Sequence, residues 1–159
     1  MCGIAGFSSF EKDYLTQRKM WDAVLGETRH ILRHRGGDQE GQFLEKQIGL
    51  SHSRLSIRDV EGGTQPMVRR QDEKEYVIVY NGELYNVDEL KRILPNCVFS
   101  TTTDTEVLLY GYMEYGPDFF SQLNGIYAAA IWDGARERLV LVRDRAGVKP
   151  LFYTLQNGE

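Results

Sequence analysis

Residues 1–7 read Met1-Cys2-Gly3-Ile4-Ala5-Gly6-Phe7, a strand-like apolar run with a thiol one residue from the chain start. If Met1 is removed, the free α-amine shares a Cα with the thiol. A free thiol near pH 7 is only a few per cent thiolate, so nucleophilic work needs a base. An α-amine with a reference pKa of ~7.7–8.0 is well matched to that task, and no separate histidine is then required. Position alone favours a blander reading, in which Cys2 is a small residue at a frayed terminus. A papain-like arrangement of Cys2 with His52 needs the thiol at a helix start, and CGIAGF argues against that.

Working outward from this strand, Met20, Trp21, Val24, Leu25, Ile31 and Leu32 recur at helical spacing, which predicts an amphipathic helix from about Thr16 to His34, ending at Gly36-Gly37. QFLEKQIGLSHSRLSI and YVIVYNG read as strands, with the charged stretch RRQDEK as an exposed turn between strands. A helix opens at Asn86 with Leu90, Ile93 and Leu94 as its buried stripe. Another opens near Asp104, turns Val107, Leu108 and Met113 inward, and stops at Gly116-Pro117. GIYAAAIWD, LVLVRD and LFYTL return to strands, with a turn at GARER between the first two. Strands, then helices, then strands argue for an α+β domain.

The 159 residues are the length of one domain with a real core. With 26% charged residues and no stretch of ~18 uncharged apolar ones, a membrane span is not expected. A formal charge of −4, with basic and acidic residues interleaved, gives no face that would steer nucleic acid. Cys2 and Cys97 form neither a disulfide framework nor a spaced metal-ligand set, so a reducing cytoplasm is expected. MCGIAGFSSF lacks the basic flank of a signal peptide, and the chain is expected to begin where translation begins. At the other end, Gln156-Asn157-Gly158-Glu159 carries a hairpin signal without a returning strand. That pattern predicts a domain truncated at its C-terminus, whose unpaired LFYTL edge would promote homodimers.

Several motifs in series carry a more specific signal. MCGIAGF resembles the start of class II glutamine amidotransferases, whose mature first residue is the nucleophilic cysteine of an N-terminal nucleophile hydrolase. LSHSRLSIRDVEGGTQPM, YNGELYN, TDTEV and RDRAGVKPLFY resemble the asparagine synthetase branch, in the same order and over essentially the whole chain. The phosphoribosyl and fructose-6-phosphate branches differ after the arginine of the RLSI strand. The resemblance implies a four-layer αββα sandwich and hydrolysis of glutamine to glutamate and ammonia. The ammonia would feed asparagine synthesis from aspartate and ATP in a longer protein. ATP and magnesium belong to the absent C-terminal synthetase domain, since Gly62-Gly63 lacks the serine and aspartate of a pyrophosphate loop. No cofactor or metal is expected here.

The resemblance also assigns roles. Cys2 attacks, Asn81 and Gly82 hold the oxyanion, Arg54 takes the α-carboxylate of glutamine and Asp104 its α-ammonium. Glu83 and the backbone around Leu55 and Ile57 complete the pocket. Read without it, Asn81-Gly82 is a hairpin turn after YVIVY, Arg54 bridges a surface acid, and Asp104 is a helix N-cap. His52 shares a strand face with Arg54 and reads as structural. His30 and His34 are spaced for a metal but lack a third ligand. Family members usually read RGPD where this chain has Arg35-Gly36-Gly37-Asp38, and glycine at 37 frees a backbone angle that proline would fix. Two alternatives to an asparagine-forming glutaminase stand: a non-catalytic glutamine-binding domain, and ammonia supply to a different ATP-dependent amide-forming enzyme.

Overall fold

The computed structural model describes residues 2–56 and 62–156. Two antiparallel sheets stack face to face. The first orders β1 (Gly3–Ser8), β3 (Ile48–Arg54) and β2 (Gln39–Glu45). The second orders β4 (Met67–Gln71), β5 (Lys74–Leu84), β6 (Gly125–Asp133) and β7 (Arg138–Arg143). Helix α1 (Arg18–Leu32) covers the outside of the first sheet, while α2 (Val87–Arg92) and α3 (Asp104–Tyr115) cover the outside of the second. The layers run helix, sheet, sheet, helix, so the fold is the αββα sandwich of N-terminal nucleophile hydrolases.

The period-2 alternation of a strand explains the layering. Ile48 and Leu50 of β3 meet Val77 and Val79 of β5 and Ala130 and Trp132 of β6, forming the core between the sheets. The alternate residues Ile78, Tyr80, Tyr127, Ala129 and Ile131 face the other way, onto Leu90 of α2 and Val107, Leu108 and Tyr112 of α3. Every residue of β3 is buried, because this central strand has a sheet on one face and α1 on the other. Helix α3 is buried almost all round. A Cβ at Gly111 would stand 2.0 Å from the Phe119 ring, so only glycine lets the 3₁₀ turn Gly116–Gln122 close on the helix.

Several expectations are corrected. The first helix is flanked by 3₁₀ turns, and its inward stripe is Trp21, Leu25 and Leu32. Met20, Val24 and Ile31 lie on its exposed side. Ile93 is likewise exposed, whereas Leu90 and Leu94 are buried. The turn in RRQDEK is confined to Asp72 and Glu73, both at positive φ, while Arg69 and Arg70 belong to β4. LFYTL forms no strand, and its Phe152, Tyr153 and Leu155 are exposed. The hairpin read at Asn157-Gly158 lies outside the described residues. No helix among the described residues is long and apolar enough to cross a membrane.

Candidate active site

A cavity of about 130 Å³ opens where the two sheets part, lined by Cys2, Arg54 and Leu55 from the first sheet's side and by Asn81, Gly82 and Glu83 from the second. Asp104 closes it from the start of α3. The volume is well under the ~300–1,000 Å³ of pockets for drug-sized ligands, so it suits one small molecule. Seven of the eight residues expected at the site therefore converge. Ile57 lies outside the described residues.

Cys2 sits one residue beyond the Gly3–Ser53 pair of β1 and β3, which brings it beside Arg54. Its thiol donates to the Leu55 carbonyl at 3.8 Å, and Arg35 Nε donates to the Cys2 carbonyl at 3.2 Å. The RGGD loop thus borders the site. The Gly36 Cα packs so closely on the Arg54-Leu55 peptide that a Cβ would stand 2.4 Å from it, and Asp38 accepts the Ser56 N–H at 2.7 Å.

Asn81 and Gly82 are not a turn. They sit inside the 11-residue β5, paired with Ala128 and Tyr127 of β6, and the ladder continues to Leu84 and Gly125. Alternation aims the Asn81 side chain between the sheets, where it is 6% exposed and makes no hydrogen bond among the described residues. The residue is buried, but its amide opens onto the cavity, where a ligand or water can complete it. At Gly82 a Cβ would stand 2.5 Å from the Ile126 carbonyl, so the strand keeps its backbone bare here.

Arg54 is 4% exposed, which removes the surface-bridge reading. Its Nη1 donates to Gln39 Oε1 at 2.5 Å, and a Cβ at Gly63 would stand 2.2 Å from its Nη2. Gly63 is thus the flat wall of the guanidinium slot. Asp104 is not the N-cap of α3: Thr103 is, accepting the Glu106 N–H at 3.4 Å. Freed from capping, Asp104 accepts from the Tyr80 hydroxyl at 2.8 Å and the Leu84 N–H at 2.9 Å. Burial and the neighbouring Asp104 push the Tyr80 phenol well above its usual range, so it remains a neutral donor.

His52 is fully buried and is not part of the cavity lining that includes Cys2. Its Nε2 lies 3.2 Å from the Tyr80 carbonyl, and burial lowers its pKa to about 4. His34 uses Nδ1 on the Ile31 carbonyl at 2.8 Å. The sequence reading missed Gln65, Thr105 and Lys149, which also line the cavity. Gln65 accepts the Tyr80 N–H at 2.6 Å. Lys149 is placed by Asp144, whose carboxylate gathers the N–H groups of Tyr127, Val148 and Lys149. RDRAGVKP carried part of that signal, since Asp and Gly are turn residues: the Asp144 carbonyl accepts the Gly147 N–H at 3.0 Å, and Gly147 takes φ 66°.

A family model described as a glutamine amidotransferase domain matches residues 1–159. The chain belongs to this family. The amidotransferase domain is 42% identical over 156 residues to the glutamine-hydrolysing asparagine synthetase 3 of Bacillus subtilis (strain 168), covering 97% of this chain and 25% of that protein. Against asparagine synthetase B of Escherichia coli (strain K12) the figures are 36% over 153 residues, 96% and 26%. The domain therefore spans about a quarter of the length of these relatives. Among solved structures, the glutamine phosphoribosylpyrophosphate amidotransferase from B. subtilis, complexed with ADP and GMP, matches with a TM-score of 0.56 and 27% identity, over 67% of this chain and 25% of that one. The amidotransferase domain thus shares its fold with that enzyme.

Proposed function

We propose that this domain hydrolyses glutamine to glutamate and ammonia. The observation that carries the reading is one small cavity holding a thiol, an amide that opens onto it, a buried guanidinium and a buried carboxylate. Arg54 and Asp104 are a complementary pair for the α-carboxylate and α-ammonium of an amino acid. The side chain of that amino acid would then extend toward Cys2. Cys2 Sγ attacks the carboxamide carbon while the Cys2 α-amine takes the thiol proton. Negative charge develops on the carboxamide oxygen, where the Asn81 amide and the Gly82 N–H are the donors. The α-amine returns the proton to the leaving nitrogen, ammonia departs, and water hydrolyses the γ-glutamyl thioester, restoring the thiol. Nothing in these steps calls for a cofactor or metal.

In the longer protein the ammonia would serve asparagine synthesis from aspartate and ATP, in a C-terminal synthetase domain that binds ATP and magnesium. The names of the relatives support this acceptor. The test is ammonia release from glutamine by one protein sample, before and after aminopeptidase treatment, with mass spectrometry to follow Met1. While Met1 remains, the nitrogen of Cys2 is an amide with no basic lone pair. Activity should appear with the loss of one methionine and vanish in Cys2→Ala. Full activity with Met1 intact would overturn the α-amine mechanism. No ammonia from the form beginning at Cys2 would leave a glutamine-binding domain.

A further inference from the structure

The site is split between two sheets, with the thiol on the first and the oxyanion donors on the second. What holds the sheets together between them is mostly apolar: Ile48 and Leu50 against Val77, Val79, Ala130 and Trp132. Such contact is non-directional, so it drives the stacking without fixing the slide of one sheet over the other. A hydrogen bond is directional. His52, flanked by Ile4 of β1 and Gly41 of β2 at the centre of the first sheet, reaches across to the Tyr80 carbonyl of β5 at 3.2 Å.

That carbonyl can only accept, so His52 Nε2 carries the proton. Nδ1 is then a bare acceptor, and it is buried with no hydrogen-bond partner among the described residues. Retaining an imidazole at this site costs an unsatisfied nitrogen, which a purely apolar residue would avoid. The bond lands on the peptide that joins Tyr80 to Asn81, one bond from the residue whose side chain faces the cavity. On the β3 side, the same strand face carries Arg54 two residues on, beside Cys2.

We propose that His52 is a positioning residue that fixes the second sheet against the first, setting the distance between the Cys2 thiol and the Asn81 oxyanion donor. The inference rests on the glutaminase reading of the site. A small slide would spoil the alignment of nucleophile and oxyanion donor before it weakened binding, because a misplacement of about 1 Å can cost ~10²-fold in rate.

The test is a double-mutant cycle on glutamine hydrolysis by the form beginning at Cys2. His52→Leu should lower kcat about 10- to 100-fold with KM changed by less than about 3-fold. His52→Gln should restore most of kcat, since its amide nitrogen is as many bonds from Cα as Nε2. In an Asn81→Ala background, His52→Leu should cost little more, because the donor it positions is gone. Equal losses in both backgrounds, or no rescue by glutamine, would mark a merely structural histidine and overturn the proposal. ¹⁵N NMR of the wild-type imidazole at pH 7 needs no variant and should show the neutral Nε2–H tautomer; the Nδ1–H tautomer overturns the bond itself. An inactive wild type would defeat the functional reading and this inference together, whereas an active wild type with an unimpaired His52→Leu variant defeats the inference alone.

Discussion

Asn81 and Arg54 are both buried at the cavity, yet their chemistry predicts opposite kinetic losses. In the proposed mechanism the Asn81 amide meets its full partner only when charge develops on the substrate oxygen. Asn81→Ala should therefore lower kcat by ~10²- to 10³-fold with a smaller effect on KM, measured by steady-state ammonia release. A raised KM at unchanged kcat would remove Asn81 from the oxyanion role. On the proposed reading Arg54 takes a group that is charged in the ground state, so Arg54→Ala should chiefly weaken glutamine binding, by ~2–5 kcal/mol for a desolvated ion pair. Calorimetric titration of glutamine into a Cys2→Ala background reads this directly, and unchanged affinity would exclude the contact. At this scale the sequence was informative because Cys2, Arg54, Asn81 and Asp104 stand in recognisable motifs. It misjudged the capping residue: Asp104 has the composition of an N-cap, but the chain enters α3 one residue earlier, at Thr103. Thr103-Asp104-Thr105-Glu106 also has capping-box spacing, yet the Glu106 carboxylate turns to the N–H groups of Ser100 and Thr101 and to Arg69.

Among the elements, the RGGD loop offers the cleanest substitution. The residue before a proline must be extended, and Gly36 already sits at φ −175° and ψ 110°. A Cβ at Gly37 would meet only Arg33 atoms, the nearer at 3.8 Å, and no hydrogen bond from the Gly37 N–H is among those of the described residues. Gly37→Pro should therefore stabilise the domain by ~0.4–1 kcal/mol through the unfolded chain, an upward shift in Tm of roughly 1–4 °C for a domain of this size. A lowered Tm in differential scanning calorimetry would mean that the loop needs a backbone angle proline cannot adopt. The strand alternation of YVIVY and GIYAAAIWD was legible, since each has a face that must be buried. The end of β5 was not. Asn-Gly after an apolar run is a turn signal, but the cross-strand pairs with Ala128 and Tyr127 outweigh it and carry the strand on to Leu84.

Over the whole molecule, buried titratable groups give acid stability two separate windows. His52 is held neutral in the fold, with its pKa lowered to about 4 from 6.5, so between those values the unfolded chain binds the extra proton. Stability should fall as pH drops from about 6.5 and lose about 3 kcal/mol by about pH 4. Glu106 works lower down. Hydrogen bonds from Arg69, Ser100 and Thr101 overcome the opposing effect of burial and hold its carboxyl at about 2, against 4.5. Its stabilisation is present above 4.5 and is lost as pH falls through about 2. Urea unfolding across this range should show both steps, and His52→Gln should flatten the upper one while leaving the lower. An unchanged slope between pH 6.5 and 4.5 in that variant would clear His52 of the effect.

By itself the sequence determined the α+β class, through the period and order of its apolar segments, and it put forward Cys2, Arg54, Asn81 and Asp104 as candidates, through motifs whose residue types fit one chemistry. Only the tertiary structure decided which groups share a cavity, because Cys2 and Asn81 lie on different sheets and no local pattern sets how two sheets slide. The same stacking decided that His52 would reach the Tyr80 carbonyl, and that Lys149 would reach the cavity by way of Asp144. Those placements arise from long-range packing, where side chains far apart in sequence compete for the same buried space. Propensity and spacing act over a few residues and carry no term for that competition.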